Sequence, residues 1–370
     1  MANSLPKPLA GNGLVFTGKG LSARRKAVRH PPFFENNTRS LQDKGEKFRM
    51  KVYFAPLEGV TDVIFRRVHH ATFGGVQKYF IPFVSPSQSL SFNVRENAEL
   101  SPRENQGVPA VPQVLSKDAG LFVAMTRFLR DAGYTEVNLN LGCPSGTVTG
   151  KGKGAAMLKD VGALKRFLDQ VYAQSVLPVS IKTRIGFDTD SQWPELLKLF
   201  GDYPVAELIV HPRTRAQAYA GRARREVCAD METLGEIPFV YNGDLFSPRD
   251  CRELAADYPG VHAVMLGRGL AANPALAQEV NDGPAITVEA LRIFHDRLYR
   301  AYAQGWPEVA AVGRMHLVMQ YLSHCFQDPE KPRKAIRKAT TIEAYNQAVQ
   351  GLFDQCELKR QPAYEPGPKG

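Results

Sequence analysis

The sequence predicts a (β/α)8 barrel followed by a C-terminal all-α helical bundle, and three observations predict it. Eight short apolar, β-branched-rich runs recur between residues 51 and 269. The stretches between them carry apolar residues at i, i+3, i+4 and i+7, the period of a helix with one buried face. After about residue 285 the strand-like runs stop and only helical periodicity continues. Alternating strands and helices imply βαβ units around a parallel sheet, and eight units match a closed barrel, which typically takes about 250 residues. A doubly wound open sheet would offer a glycine-rich GxGxxG turn after its first strand. Here that strand runs into APLEGVTD.

In chain order the strand-like runs are KVYFAP (51–56), KYFIPFV (78–84), VPAVPQVL (108–115), EVNLNLG (136–142), PVSIKTRIG (178–186), AELIVHPRT (206–214), PFVYNGD (238–244) and AVMLGRG (263–269). Helical segments between them include AGLFVAMTRFLRDAG, DVGALKRFLDQVYAQS, PELLKLFGDY and SPRDCRELAADY. Beyond the barrel, VEALRIFHDRLYRAYAQG, EVAAVGRMHLVMQYLSHCF and IEAYNQAVQGLFDQC read as amphipathic helices of a bundle. The expected organisation is a basic, disordered arm over 1–49, a barrel over 50–284, a helical domain over 285–358 and a frayed tail over 359–370. Met50 stands immediately before the first strand, and a chain begun there is expected to keep its activity.

The formal net charge of +10 is unevenly placed. Residues 1–49 hold ten Lys and Arg against three Asp and Glu, a surplus of +7, which leaves only +3 for residues 50–370. A second basic concentration lies in the helical region, at Arg292, Arg297, Arg300 and Arg314 and in KPRKAIRK over 331–338. A small basic appendage beside a barrel mouth suits a polyanionic partner as well as a solvated face. No apolar run approaches the roughly 20 residues of a membrane span, so no membrane association is expected. The five cysteines are dispersed without a CxxC pair. That argues against a disulfide framework or a metal site and for a reducing, cytoplasmic setting. A monomer is the default expectation.

Barrel chemistry sits at the carboxyl ends of the strands, and those ends are rich in polar residues. They carry Gln113, Asn138 and Asn140, Lys182 and Arg184, His211 and Arg213, Asn242 and Asp244, and the Gly267-Arg268 pair. Members of a pair two residues apart on a strand face the same way. A satisfied core imidazole would explain His211 alone. A buried lysine is costly without a partner, and the set as a whole implies a ligand. Asn242-Gly243-Asp244 and Gly267-Arg268 follow strands seven and eight, where barrels bind phosphate through backbone N–H groups. Lys182 would then lie deeper, where a cation stabilises a reduced flavin ring. The set points to FMN rather than NAD as the resident cofactor.

The motifs APLEGVTD, LNLGCPS, SIKTRIG, VHPRTRAQ, NGD and MLGRG, in this order, resemble the tRNA-dihydrouridine synthases. The resemblance runs from about residue 51 to about 350, and LNLGCPS followed by GKGKGAAMLKD is its most specific part. It implies an FMN-containing barrel, a helical domain that helps hold tRNA, and NADPH as reductant. By motif it implies Pro56 and Leu57 against the flavin, Gln113 and Lys182 on its ring, and His211, Asn242, Gly243, Asp244, Gly267 and Arg268 completing the cofactor site. Asn140, Arg184 and Arg213 are implied for the uridine or its phosphate. Leu57 stands where the family often has Met, and His211-Pro212-Arg213-Thr214 where it often has HGRT. Pro212 removes a backbone N–H and alters the expected loop path.

The resemblance gives Cys143 a role. Reducing uracil to dihydrouracil adds a hydride at C6 and a proton at C5. A thiol with an ordinary pKa near 8.5 is mostly protonated at neutral pH and can act as general acid. Cys143 stands on the loop after strand four. Cys228, Cys251, Cys325 and Cys356 lie on helix-like stretches and read as structural. The glycine- and lysine-rich segment over 146–160 is expected to act as a mobile lid. Two other readings remain open at this level: an FMN enzyme acting on a small free pyrimidine, and a non-catalytic RNA-binding barrel.

Overall fold

The computed structural model describes residues 49–367, which form one compact unit. The expected basic arm lies outside the described residues, apart from Arg49. Nine parallel strands make one sheet in the order β3-β2-β1-β9-β8-β7-β6-β5-β4. They are β1 (Lys51–Phe54), β2 (Val76–Phe80), β3 (Ala110–Val111), β4 (Gln113–Val114), β5 (Val137–Leu141), β6 (Val179–Arg184), β7 (Leu208–His211), β8 (Phe239–Tyr241) and β9 (Ala263–Leu266). The extra strand is a consequence of Pro112, which has no N–H to donate and splits one stave in two. Its first half pairs with β2 and its second with β5, so the two edges of the sheet are consecutive in the chain and the barrel has eight staves.

The period-two pattern of the strands sorts their side chains onto two faces. Tyr53, Ala55, Phe80, Val111, Ile209, Val240, Ala263 and Met265 form a cluster of their own in the barrel interior. The alternate residues, among them Val52, Phe54, Leu139, Leu141, Ile181, Val210 and Leu266, belong to the larger core beneath the helices.

The barrel helices begin where their first residues can accept an orphan N–H. Asp62 caps α1 (Val63–Thr72) by accepting from the Phe65 N–H at 2.9 Å. Asn93 and Glu96 form a capping box on α2 (Val94–Leu100), and Asp118 accepts from Leu121 at the start of α3 (Ala119–Asp131). After the short α4 (Gly146–Thr149), Asp160 accepts from Ala163 at the start of α5 (Val161–Gln174). Trp193–Gly201 forms α6 with a proline in its first turn, and Ser247 and Asp250 box the start of α7 (Pro248–Asp257). Two short helices, α8 (Arg268–Ala272) and α9 (Leu276–Val280), close the barrel.

Four further helices follow: α10 (Val288–Gly305), α11 (Glu308–Leu322), α12 (Glu330–Lys338) and α13 (Ile342–Gln355). They pack directly on the barrel. Phe294 of α10 meets Phe65 and Phe73 edge-on at 5.6 and 5.3 Å between ring centroids. Tyr302 of α10 donates to Asp62 at 2.8 Å.

Two segments carry more local structure than their composition suggests. Over its described length the tail makes contacts with the protein: Lys359 N–H bonds the Cys325 carbonyl at 2.8 Å, and the Tyr364 ring packs on Phe246 and His324 at 5.3 and 4.8 Å. The aromatic ring at 364 gives the segment something to bury, which its Pro and Gly content conceals. The lid-like segment over 146–160 is not an open loop either. It folds into α4 and a 3-10 turn over Gly154–Lys159, anchored by the fully buried Ala155 and Leu158.

Candidate active site at the barrel mouth

The polar residues predicted at the strand ends lie toward the carboxyl end of the barrel, except Asn138, which sits near the start of β5 opposite Ser180; they divide into two groups by what they touch. The first group is bound to the protein itself. Gln113, at the start of β4, donates to Asn138 Oδ1 at 2.7 Å and accepts from Asn140 Nδ2 at 2.7 Å. Asn138 donates onward to Ser180 Oγ at 2.9 Å. The other end of Asn140 accepts from the N–H groups of Gly142 and Cys143 at 3.1 and 2.9 Å. Asn140 therefore holds the cysteine loop, which is a different task from the uridine contact the resemblance implies.

Arg184 and Arg213 behave similarly. Each is 2 % exposed. Arg184 donates to the carbonyls of Gly142, Thr214 and Ala218 at 2.8 to 2.9 Å, tying the loop after β5 to the loop after β7. Arg213 grips Asp244 with two bonds of 3.0 and 2.6 Å and donates to the Nε2 of His211 at 3.2 Å. Asp244 also accepts from Arg268 at 2.9 Å. Burial alone would raise the Asp244 carboxyl, but the two guanidinium groups hold it below the usual carboxylate range. Arg268 lies over the rings of Tyr219, Phe246 and Tyr364 at 4.6, 5.4 and 5.0 Å.

The second group has no partner. Lys182 makes no hydrogen bond or ion pair among the described residues. Burial, with Arg184 adding to it, pushes its ammonium down to about 7. His211 is held well below the ordinary imidazole value by burial and by the neighbouring cations Arg184, Lys182, Arg213 and Arg268. It is neutral at physiological pH, which matches its role as acceptor from Arg213. Backbone donors are also free. The N–H groups of Gly243 and Asp244 after β8, and of Gly267, Arg268 and Gly269 after β9, find no acceptor among the described residues.

Both turns depend on their glycines. A Cβ on Gly243 would stand 2.2 Å from the Tyr241 hydroxyl, and one on Gly269 2.5 Å from the Leu245 carbonyl oxygen. Pro56 and Leu57, half-buried at the end of β1, border the same turns: a Cβ on Gly267 would lie 3.5 Å from Leu57 Cδ2. Asn242 donates to the Met265 carbonyl at 2.8 Å and joins the two strand ends. Unpaired N–H groups on two adjacent strand ends suit an anionic, phosphate-bearing ligand.

Cys143 is half-buried at this mouth. Burial raises its thiol above the ordinary value, against the opposing pull of a Ser145 backbone contact and the charges of Arg184 and Lys182. The thiol is therefore protonated at neutral pH. The remaining cysteines follow the expectation of structural roles in three cases, Cys228, Cys251 and Cys325, which are fully buried; Cys356 is half-buried.

Sequence reasoning missed the aromatic side of the mouth. Tyr219, Phe246 and Tyr364 come from three distant loops, and only the fold brings them to Arg268. No periodic pattern signals such a meeting. Among the described residues no group of three His, Cys, Asp or Glu is placed to hold a metal, and no helix is long and apolar enough to cross a membrane.

Residues 53–356 match the protein family described as Dihydrouridine synthase (Dus). The chain is 27 % identical over 318 residues to tRNA-dihydrouridine synthase B of Xanthomonas campestris pv. campestris, covering 82 % of this chain and 93 % of that protein. It is 28 % identical over 241 residues to tRNA-dihydrouridine(16) synthase of Pseudomonas syringae pv. tomato, covering 62 % of this chain and 74 % of that one. Among solved structures, the old yellow enzyme from Trypanosoma cruzi overlays with a TM-score of 0.46 at 11 % identity, over 70 % of this chain and 94 % of that one.

Proposed function

The chain belongs to the dihydrouridine synthase family, and on that premise we propose how its barrel mouth reduces the C5=C6 bond of uridine in tRNA. The observation that carries the reading is one juxtaposition: a protonated thiol, Cys143, shares the mouth with a lysine, Lys182, that has no counter-charge.

The free N–H groups of Gly243, Asp244, Gly267, Arg268 and Gly269 would hold the phosphate of FMN, and Lys182 its ring. Pro56, Leu57 and Gln113 would border the ring. When bound, FMN recharged by NADPH supplies the hydride that forms the new C6–H bond. Cys143 donates the proton that forms the C5–H bond, and the π bond between the two carbons is lost. Lys182 and Arg184 stabilise the thiolate left behind until it recovers a proton from water. Asn140 and Arg184 act on the two faces of one peptide segment, the first on the N–H groups of Gly142 and Cys143, the second on the Gly142 carbonyl. They position the acid rather than touch the base. Arg213, held to Asp244 and His211, fixes the loop after β7 in the same way. His211, kept neutral, adds a hydrogen-bonding group without adding charge.

The uridine must leave its stack to reach this mouth, a cost of a few kcal/mol that is smallest in a loop. The basic face of the helical region supplies sequence-independent attraction for the RNA backbone. A cytoplasmic monomer acting on transcribed tRNA is the setting this reading expects.

The test is direct. Purified protein, NADPH and tRNA lacking dihydrouridine are incubated, and the nucleosides are analysed by mass spectrometry, with Cys143→Ala alongside. Dihydrouridine from the wild type, reduced at least about 100-fold in the variant, is the expected result for loss of a general acid. A wild type whose flavin is reduced by NADPH but which makes no dihydrouridine would shift the reading to a small pyrimidine substrate. A protein that takes up no flavin would shift it to a non-catalytic RNA binder.

A further inference from the structure

A second cavity, of about 690 Å³, lies between α11, α12 and the C-terminal tail. Three rings line one part of it: Tyr321 from the end of α11, His324 from the 3-10 turn that follows it, and Tyr364 from the tail. His324 and Tyr321 stand 4.8 and 6.0 Å from the Tyr364 ring. Three cations of α12, Arg333, Lys334 and Arg337, line another part. Their spacing puts them on one face of a short helix whose only buried side chain is Ile336.

The cations of α12 stand close together without acids. Some exposed arginines elsewhere are paired, as Arg67 is with Glu104, Arg95 with Glu58 and Arg249 with Glu253, while Arg127, Arg222 and Arg300 stand singly without an ion pair among the described residues. On α12 none of Lys331, Arg333, Lys334, Arg337 and Lys338 forms an ion pair among the described residues. Two carboxylates also line the cavity, but Glu365 is already bound to Lys359 and Glu330 lies at the helix start. The cavity therefore offers unpaired positive charge beside aromatic faces, which is the chemistry that holds a nucleotide: cations on the phosphate, rings on the base.

Its place decides which nucleotide. Tyr364 serves both sides, lining the cavity while its ring lies 5.0 Å from the Arg268 guanidinium at the barrel mouth. The cavity and the mouth are therefore neighbours. The cations also continue past it, through Lys331 and Lys338 on the far side of α12. A run of that length matches a polymer backbone better than one free phosphate.

We propose that this cavity binds one unstacked nucleotide of the tRNA flanking the target uridine, with its base against Tyr321 and Tyr364 and its phosphate against Arg333 and Arg337. The inference rests on tRNA being the substrate, as read above. It adds a second grip on the single strand, so that the target base is presented from a fixed neighbour.

The test measures tRNA affinity against salt, steady-state kinetics and the rate of flavin reduction by NADPH. It compares the wild-type holoenzyme with Arg333→Glu/Arg337→Glu, Tyr321→Ala and Tyr321→Phe, after equal thermal midpoints have shown that all fold. The double variant should bind tRNA at least about ten-fold more weakly, with a log–log salt slope shallower by about 0.7, the loss of one single-strand phosphate contact. Tyr321→Ala should weaken binding about ten-fold with an unchanged slope, and Tyr321→Phe should restore it, as stacking requires. Flavin reduction by NADPH should proceed at the wild-type rate throughout. Wild-type affinity in both the double variant and Tyr321→Ala overturns the proposal. Weakening by the charge reversals alone also overturns it, leaving a solvated basic face. Slower flavin reduction with intact tRNA binding overturns it in favour of a dinucleotide in the cavity. A wild type that makes no dihydrouridine marks failure of the parent reading instead.

Discussion

The two ends of the barrel hold similar residues to opposite purposes. At the amino end, Lys78 of β2 donates to Glu136 and Glu207 at 2.6 and 2.9 Å, and Glu207 also accepts from the Tyr53 hydroxyl at 2.6 Å. Burial alone would lower the Lys78 ammonium, but the two carboxylates outweigh it and hold it above the ordinary lysine value. At the carboxyl end the half-buried Lys182 has no carboxylate partner among the described residues, and loss of solvation pushes it down to about 7. One lysine is paired within the chain, and the other has no ion pair among the described residues. The difference teaches that a charged residue inside a barrel is structural when its partners are in the chain and functional when they must come from elsewhere.

The largest test of that contrast is Lys182→Met. Dihydrouridine formation should fall about 100-fold or more, while flavin-free protein keeps its stability or gains up to about 1 kcal/mol, because an unpaired buried charge has been removed. Nucleoside mass spectrometry and denaturant unfolding read the two effects. A destabilised Lys182→Met protein would show that the lysine has a hidden partner. Lys78→Met is the mirror experiment. It strands two largely buried carboxylates and should lower stability by about 3 kcal/mol, with chemistry in the surviving folded protein near wild type.

A pH series sharpens the same comparison. Because the folded pKa of Lys182 is depressed, the unfolded chain binds more protons than the folded one between about 7 and the ordinary lysine value. Flavin-free protein should gain stability as pH rises through that window, by no more than about 1.4 kcal/mol per pH unit for one group. Lys182→Met should abolish the gain. Lys78 has the opposite sign: its contribution is present below the ordinary lysine value and is lost only as pH rises past it. Urea unfolding at a series of pH values, with and without each substitution, separates them.

Much of this architecture was legible in the residues, for reasons that differ from part to part. All eight staves were visible because a buried parallel strand is a short apolar run and the helices between them are periodic. The split at Pro112 was written in the sequence but needs the neighbouring strands before it becomes two pairings. Lys182, His211, Asn242 and the two glycine turns were legible as candidates because polar groups at strand ends are costly without a partner. What those groups touch was not legible. Asn140, Arg184 and Arg213 carry the right chemistry for a base or phosphate, yet each is occupied by backbone or by Asp244, a matter of side-chain reach that spacing does not encode. Tyr364 lay hidden in a tail whose prolines and glycine suggested fraying. Its contacts with Phe246, Tyr321 and Arg268 are non-local and leave no period to detect.

The two ends are also joined, and the smallest predicted effect concerns that link. Glu136 at the amino end accepts from Ser180 Oγ at 2.8 Å, Ser180 accepts from Asn138, Asn138 from Gln113, and Gln113 from Asn140, which finally accepts from the Cys143 N–H. Every amide in this string has its orientation set by the carboxylate at one end, so the string aims the Asn140 oxygen at the cysteine loop. Ser180→Ala cuts it at the far end from the chemistry. It should cost about 1 to 2 kcal/mol by leaving the buried Asn138 amide unsatisfied. It should also lower kcat about three-fold through a loosened Asn140, with KM for tRNA unchanged. Unfolding curves and steady-state kinetics check the pair of effects together. Lost stability with full kcat would mean that the ends are electrostatically distinct and mechanically independent as well, and that Asn140 holds the Cys143 loop without help from below.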